Sequence, residues 1–126
     1  MPLRVELKPF ERIVIGESVI INSGTRTCFL IDGDTPILRE KDTVTAESAD
    51  TPAKRLYLCV QTMYLKNDVP RYRERYLGLV KELQDSMPGS RDLIEQTETF
   101  VIGGSLYKAL KEIRKLMKRE EEAIAV

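Results

Sequence analysis

The 126-residue chain contains no histidine and no tryptophan, and it has only two cysteines. Without histidine there is no ordinary general base near neutrality and no imidazole metal ligand, so neither a Ser–His nor a Cys–His pair can be assembled. Cys28 and Cys59 are too few and too far apart in the chain for a zinc site. Each sits among apolar neighbours, where a free thiol is expected to behave as a small buried hydrophobe. No apolar run approaches the roughly 20 residues that a spanning helix needs. The opening Met1 to Leu7 alternates charge with aliphatic residues and lacks the continuous apolar stretch of a secretory signal. These absences exclude most enzyme classes and point to a cytoplasmic binding protein without membrane contact, metal or cofactor.

Charge is balanced overall, with 20 basic and 20 acidic side chains, which argues at first against a phosphate-rich partner. The distribution alters that reading. Six of the basic and nine of the acidic residues fall in positions 1–50, leaving fourteen basic and eleven acidic ones in 51–126. The second half carries the positive surplus.

The first half has the period of strands. Leu3, Val5 and Leu7 alternate with Arg4, Glu6 and Lys8, as in a half-buried strand. Arg12–Ile15, Ser18–Asn22, Arg26–Ile31 and Ile37–Glu40 follow, the last continued by Thr43–Thr45, and their residues favour pleated structure. Gly16-Glu17, Ser23-Gly24 and Asp32-Gly33-Asp34 are turn signals at hairpin spacing. A meander or a small barrel-like sandwich is predicted.

At Thr51-Pro52 an N-cap precedes proline at the first helical position, where its missing N–H costs nothing. Leu56, Cys59, Val60 and Met63 then follow helical spacing. Tyr57, Leu58, Tyr64 and Leu65 make the remaining faces nearly apolar, predicting a helix buried on most sides. Asn67 to Pro70 starts a second helix with the row Tyr72, Tyr76, Leu79, Val80 and Leu83. Met87 to Ser90 breaks to a third, with Leu93, Ile94, Thr97, Phe100 and Val101, which ends at Gly103-Gly104. Ser105 caps a fourth helix, whose row is Leu106, Leu110, Ile113 and Met117. Glu120 to Glu122 stand at the unfavourable end of its dipole, so its tail is expected to fray. The expectation is an α+β fold in which residues 1–50 form a small antiparallel sheet or sandwich and residues 51–126 a bundle of about four helices. The chain 1–126 is read as a single domain whose sheet and helices share one core.

Candidate chemistry is sparse. Asp32 and Asp34 could in principle hold a divalent cation, but a hairpin turn requires the same residues. Gly103-Gly104-Ser105 lacks the frame of a phosphate loop and reads as a helix stop followed by a cap. On the fourth helix Lys108, Lys111, Lys115 and Lys118 recur at helical spacing beside Arg114 and Arg119. That stripe fits either a solvated face or a track for a phosphate backbone. In the first half Arg4, Lys8, Arg12 and Arg39 lie on strands or their edges, where a side chain can be held to read a base.

The run Pro2 to Arg12, with Ile15-Gly16 and Val19 to Asn22, resembles the FlbT family of flagellum biosynthesis repressors. The likeness continues through Phe29 to Gly33, Pro36 to Asp42, Arg55 to Gln61, Met63 to Leu65, Tyr107 to Lys111 and Lys118 to Glu121, essentially the full chain. It implies a post-transcriptional regulator that associates with the 5′ untranslated leader of flagellin mRNA and promotes its decay, with a FlaF-type flagellar regulator as partner. The first half also resembles the carbon storage regulator CsrA. Glu11 to Ile21 matches its E-x-x-x-I-G-[DE]-x-V hairpin, and Ile37 to Glu40 resembles its RNA-gripping V-x-R-E strand. By that resemblance Arg39 contacts RNA, Arg4 and Lys8 lie on the neighbouring edge, and a dimer is expected. With Lys108, Lys111 and Lys115 supplying phosphate contacts, these six are the candidate RNA-binding residues. The alternative is a protein-interaction module for FlaF, flagellin or a second copy, acting without touching RNA.

Overall fold

A computed structural model describes residues 2–124. Five strands precede four helices, giving the expected α+β class: β1 (Leu3–Leu7), β2 (Arg12–Ile15), β3 (Ser18–Ile21), β4 (Thr27–Ile31), β5 (Ile37–Arg39), α1 (Pro52–Lys66), α2 (Val69–Ser86), α3 (Arg91–Ile102) and α4 (Leu106–Ile124). The chain divides into two compact units at Thr43/Val44.

In the first unit the strands form two small antiparallel sheets, β1–β4 and β3–β2–β5. Sequence neighbours pair only at β2–β3, so the topology is not a meander. Val5, Leu7 and Ile13 are the buried centre, with Ile15, Phe29, Ile31 and Ile37 packed around it. Alternation explains the choice, because the register sets Leu7 opposite Thr27 and Val5 opposite Phe29 and sends Arg4, Glu6, Cys28 and Leu30 to the other face. Cys28 is therefore exposed, contrary to the sequence expectation, whereas Cys59 is buried. Thr43–Thr45 does not extend β5. A 3-10 turn at Glu40–Asp42 ends the strand, with the Thr43 N–H and hydroxyl both donating to the Glu40 carbonyl at 3.0 and 2.7 Å.

Phe10 holds a left-handed backbone, φ 65°, at a turn organised by Asn22. The Asn22 amide donates to the carbonyls of Leu7, Lys8 and Thr25 at 2.9–3.1 Å, and its oxygen accepts from the Gly24 N–H at 3.2 Å. One short side chain thus satisfies most of the turn.

In the second unit, each helix boundary has a local cause. The Thr51 hydroxyl accepts from the Lys54 N–H and the Asp68 carboxylate from the Arg71 N–H, both at 3.3 Å, each with proline in the first turn behind it. Asn67, φ 52°, closes α1 with Asn67 N–H on the Tyr64 carbonyl and Asp68 N–H on that of Met63. Gly104, φ 79°, closes α3 in the same way, through Val101 and Phe100. Both are Schellman closures. Val44 pairs its N–H and carbonyl with the Gln61 side-chain amide at 2.8 and 3.1 Å, so a side chain takes the place of a neighbouring strand.

Helix α4 packs against α1 and α3, and α1 also against α2. The buried row of α4 is Leu106, Ala109, Leu110, Ile113, Leu116 and Glu120; Leu116 rather than Met117 lies deepest, because 3.6-residue geometry places it beside Ile113 and Glu120. The helix runs through Glu120–Glu122 to Ile124 instead of fraying. Glu120 is the reason, since its buried carboxylate accepts the Ala53 N–H at 3.0 Å. A charge unfavourable for its own helix dipole is favourable for the amino terminus of α1.

Candidate nucleic-acid interface

The basic residues fall into two groups, one in each unit. On β5, Arg39 is half-exposed and held at two points. One Nη1 donates to the Glu6 carbonyl on β1 at 3.2 Å and lies 3.6 Å from Glu11 Oε1. The same Glu11 oxygen accepts the Lys8 backbone N–H at 3.2 Å, so one carboxylate holds both the Arg39 guanidinium and the main chain at Lys8. Arg4 is turned away, its Nε 3.0 Å from Cys28 Sγ, and that thiol together with Glu6 strengthens its hold on its proton. Arg12 pairs with Glu40 at 3.7 Å and Arg26 with Glu6. The unit therefore presents arginines that are fixed in place but partly neutralised.

On α4, Lys108, Lys111, Lys115 and Lys118 are exposed and lie opposite the buried row, as their spacing requires. Lys115 is paired with Glu112 at 2.9 Å. Lys111 Nζ lies 5.0 Å from the centroid of the Tyr107 ring. Arg119 is drawn to α3, donating to Asp92 and to the Ser90 hydroxyl, each at 3.2 Å, and its guanidinium lowers the Asp92 pKa. The helix is charge-polarised, with Lys108 and Lys111 near the positive end of its dipole and the acids Glu120–Glu122 at the other.

The seam between α1 and α4 adds aromatic residues to this cationic face. The two helices run antiparallel, matching Ala53 with Glu120, Tyr57 with Arg114, and Tyr64 with Tyr107. Arg114 donates to the Tyr57 hydroxyl at 2.9 and 3.2 Å, its guanidinium carbon 5.6 Å from the ring centroid. The Tyr64 and Tyr107 rings are 6.0 Å apart and tilted by 32°. Tyr57 and Tyr76 belong to the core, whereas Tyr64 and Tyr72 are half-buried. Tyr107 lies in the run Tyr107 to Lys111 that carries the family resemblance but was not among the six candidate RNA-binding residues. Its signal was its place four residues before Lys111 and seven before Arg114, on one face of one helix.

Among the described residues, no group of His, Cys, Asp or Glu could hold a metal ion, and Asp32-Gly33-Asp34 lies in the turn between β4 and β5 with Gly33 at φ 139°. No described helix is long and apolar enough to cross a membrane.

Fold and surface together define a small α+β protein with a tyrosine-edged cationic helix face. Comparison with known proteins makes this specific. The family model described as "Flagellar protein FlbT" matches residues 3–124, and the chain belongs to that family. It is 66% identical over 125 residues to a probable flagellum biosynthesis repressor protein FlbT of Rhodopseudomonas palustris, covering 99% of each chain. It is 47% identical over 123 residues to such a protein from Bradyrhizobium diazoefficiens (97% of this chain, 84% of the relative). It is 30% identical over 135 residues to the flagellum biosynthesis repressor protein FlbT of Caulobacter vibrioides (98% and 90%). No solved structure matches the chain. The relatives' names describe repressors of flagellar synthesis, a regulatory rather than an enzymatic class.

Proposed function

We propose that this protein is a cytoplasmic post-transcriptional regulator that binds the 5′ untranslated leader of flagellin mRNA and represses its translation or promotes its degradation. The observation that carries the reading is the cationic face of α4, where Lys108 and Lys111 stand exposed at the positive end of the helix dipole beside tyrosine rings. In this reading the lysines bind phosphates without regard to sequence. Arg39, held by the Glu6 carbonyl and Glu11, offers its remaining donors to the edge of an unpaired base, with Lys8 just past the end of β1 and Arg4 on β1 as further candidates. Cleavage is left to a nuclease, and the chain itself performs no chemistry.

The test is a titration of the purified full chain with flagellin leader RNA, alone and with a FlaF-type regulator. Binding by the chain alone, weakened by Arg39→Ala and by glutamine at Lys108, Lys111 and Lys115, supports direct contact. Binding that appears only with the regulator transfers the contact to that partner.

A second reading, a protein-interaction module acting without RNA, is favoured by β3. This edge strand exposes Val19, Ile20 and Ile21, in a unit of a size that commonly needs oligomerisation for stability. A second copy is the simplest occupant, because antiparallel pairing of β3 with itself is self-complementary. Sedimentation equilibrium of wild type and Ile20→Lys separates the cases: a dimer lost in the variant supports self-pairing, and a monomeric wild type removes it.

A further inference from the structure

We propose that Tyr107, braced by Tyr64 and flanked by Lys108 and Lys111, is a stacking platform for an unpaired base of single-stranded RNA. The inference rests on the RNA reading above and assigns it a residue-level site in the helical unit.

Three observations converge there. Tyr107 is 40% exposed on a helix whose Leu106, Leu110, Ile113 and Leu116 are buried, so it stands outside the core row of that helix. Tyr64 from α1 fixes its orientation, with centroids 6.0 Å apart and planes inclined by 32°. A ring already braced loses little freedom when a ligand lands on it, and tyrosine has few rotamers to lose. Finally, Lys111 lies over the ring at 5.0 Å. An ammonium resting on an exposed ring is held more weakly than a stacked base. A base therefore displaces Lys111, and the released ammonium, with Lys108 beside it, stays within reach of the flanking phosphates.

Nucleic acid suits this surface better than a protein partner because both components of a nucleotide find their match within one helical turn: a π face for the base and cations for the phosphate. The acids of α4, at Glu112 and Glu120–Glu122, lie away from Tyr107; Glu112 is occupied by Lys115 and Glu120 by Ala53.

The chain has no tryptophan, so Tyr107→Trp introduces a single reporter at the site. In the full-length protein its emission is expected to be quenched by flagellin leader RNA and not by heparin, a polyanion without bases, although both bind. Tyr107→Leu is expected to lower leader affinity roughly tenfold or more with an unchanged melting curve, while Tyr107→Phe retains it. Bound leader RNA without quenching, or full affinity in Tyr107→Leu, overturns the platform and leaves the RNA reading standing. Loss of a FlaF-type protein partner from Tyr107→Leu with leader affinity intact assigns the ring to a protein surface and also overturns it. If wild type does not bind leader RNA at all, the RNA reading falls and the platform with it.

Discussion

The Glu120 carboxylate, near the carboxy terminus of α4, accepts the Ala53 N–H at 3.0 Å and so caps the first turn of α1 from across the bundle. Thr51 supplies the local cap to Lys54, and together the two side chains satisfy two of the unpaired donors at that terminus. Glu120→Ala removes a buried charged acceptor and is expected to cost about 1–3 kcal/mol, lowering the melting temperature by several degrees. Glu120→Gln keeps an acceptor and should fall between Ala and wild type. Thermal melting followed by far-UV circular dichroism checks this, and an unchanged Glu120→Ala melt would contradict it.

Phe10 is a bulky residue in the left-handed region, which costs roughly 1–2 kcal/mol, and it is 72% exposed. Phe10→Gly should therefore stabilise the β unit by about 1 kcal/mol, since glycine adopts this conformation freely. Asn22→Ala should destabilise it by a similar or larger amount through loss of the carbonyl partners of the turn. Urea unfolding of both variants gives opposite shifts in midpoint if the turn is read correctly.

The Tyr76 hydroxyl is buried without a hydrogen-bond partner among the described residues. Burial first, then the charges of Glu98 and Cys59, push its pKa up. Burial also raises that of Cys59, against the lowering effect of Arg75. Both groups ionise more readily in the unfolded chain, so their contribution to stability is complete below the ordinary pKa values and is lost as pH rises through the folded ones. Stability is expected to fall above about pH 9. Tyr76→Phe should raise stability near neutrality by about 1 kcal/mol and flatten the alkaline decline. A variant less stable than wild type at pH 7 would show that the hydroxyl is satisfied.

The two thiols should differ sharply in reactivity. Cys28 is exposed and Cys59 buried, and a thiol reagent under native conditions is expected to modify Cys28 rapidly and Cys59 only on unfolding. Rapid modification of both would contradict the packing of α1.

Much of this architecture was legible in the residues. Thr51-Pro52, Asp68 with Pro70, and Gly103-Gly104 marked helix boundaries because each acts through local backbone chemistry. What escaped depended on pairing across the chain. Cys28 has apolar neighbours in sequence, but strand alternation turns it outward. The acids at the end of α4 read as a fraying tail, because only the antiparallel match to α1 supplies Glu120 with a helix amino terminus. Tyr107 meets Tyr64 only through the packing of α4 on α1. Of the RNA candidates, Arg39 reaches the Glu6 carbonyl and Glu11 and Arg4 turns to Cys28, neither of which spacing alone reveals, whereas the pairing of Lys115 with Glu112 follows from their i,i+3 spacing.

The central claim, direct leader binding through the α4 face, is tested most directly by the salt dependence of affinity for flagellin leader RNA. For wild type, log affinity should fall by about 0.7 per phosphate contact per log unit of salt. Replacing Lys108, Lys111 and Lys115 with glutamine should reduce that slope by up to about 2 without altering the melting curve. A wild-type affinity insensitive to salt, or a slope unchanged in the triple variant, would contradict the account.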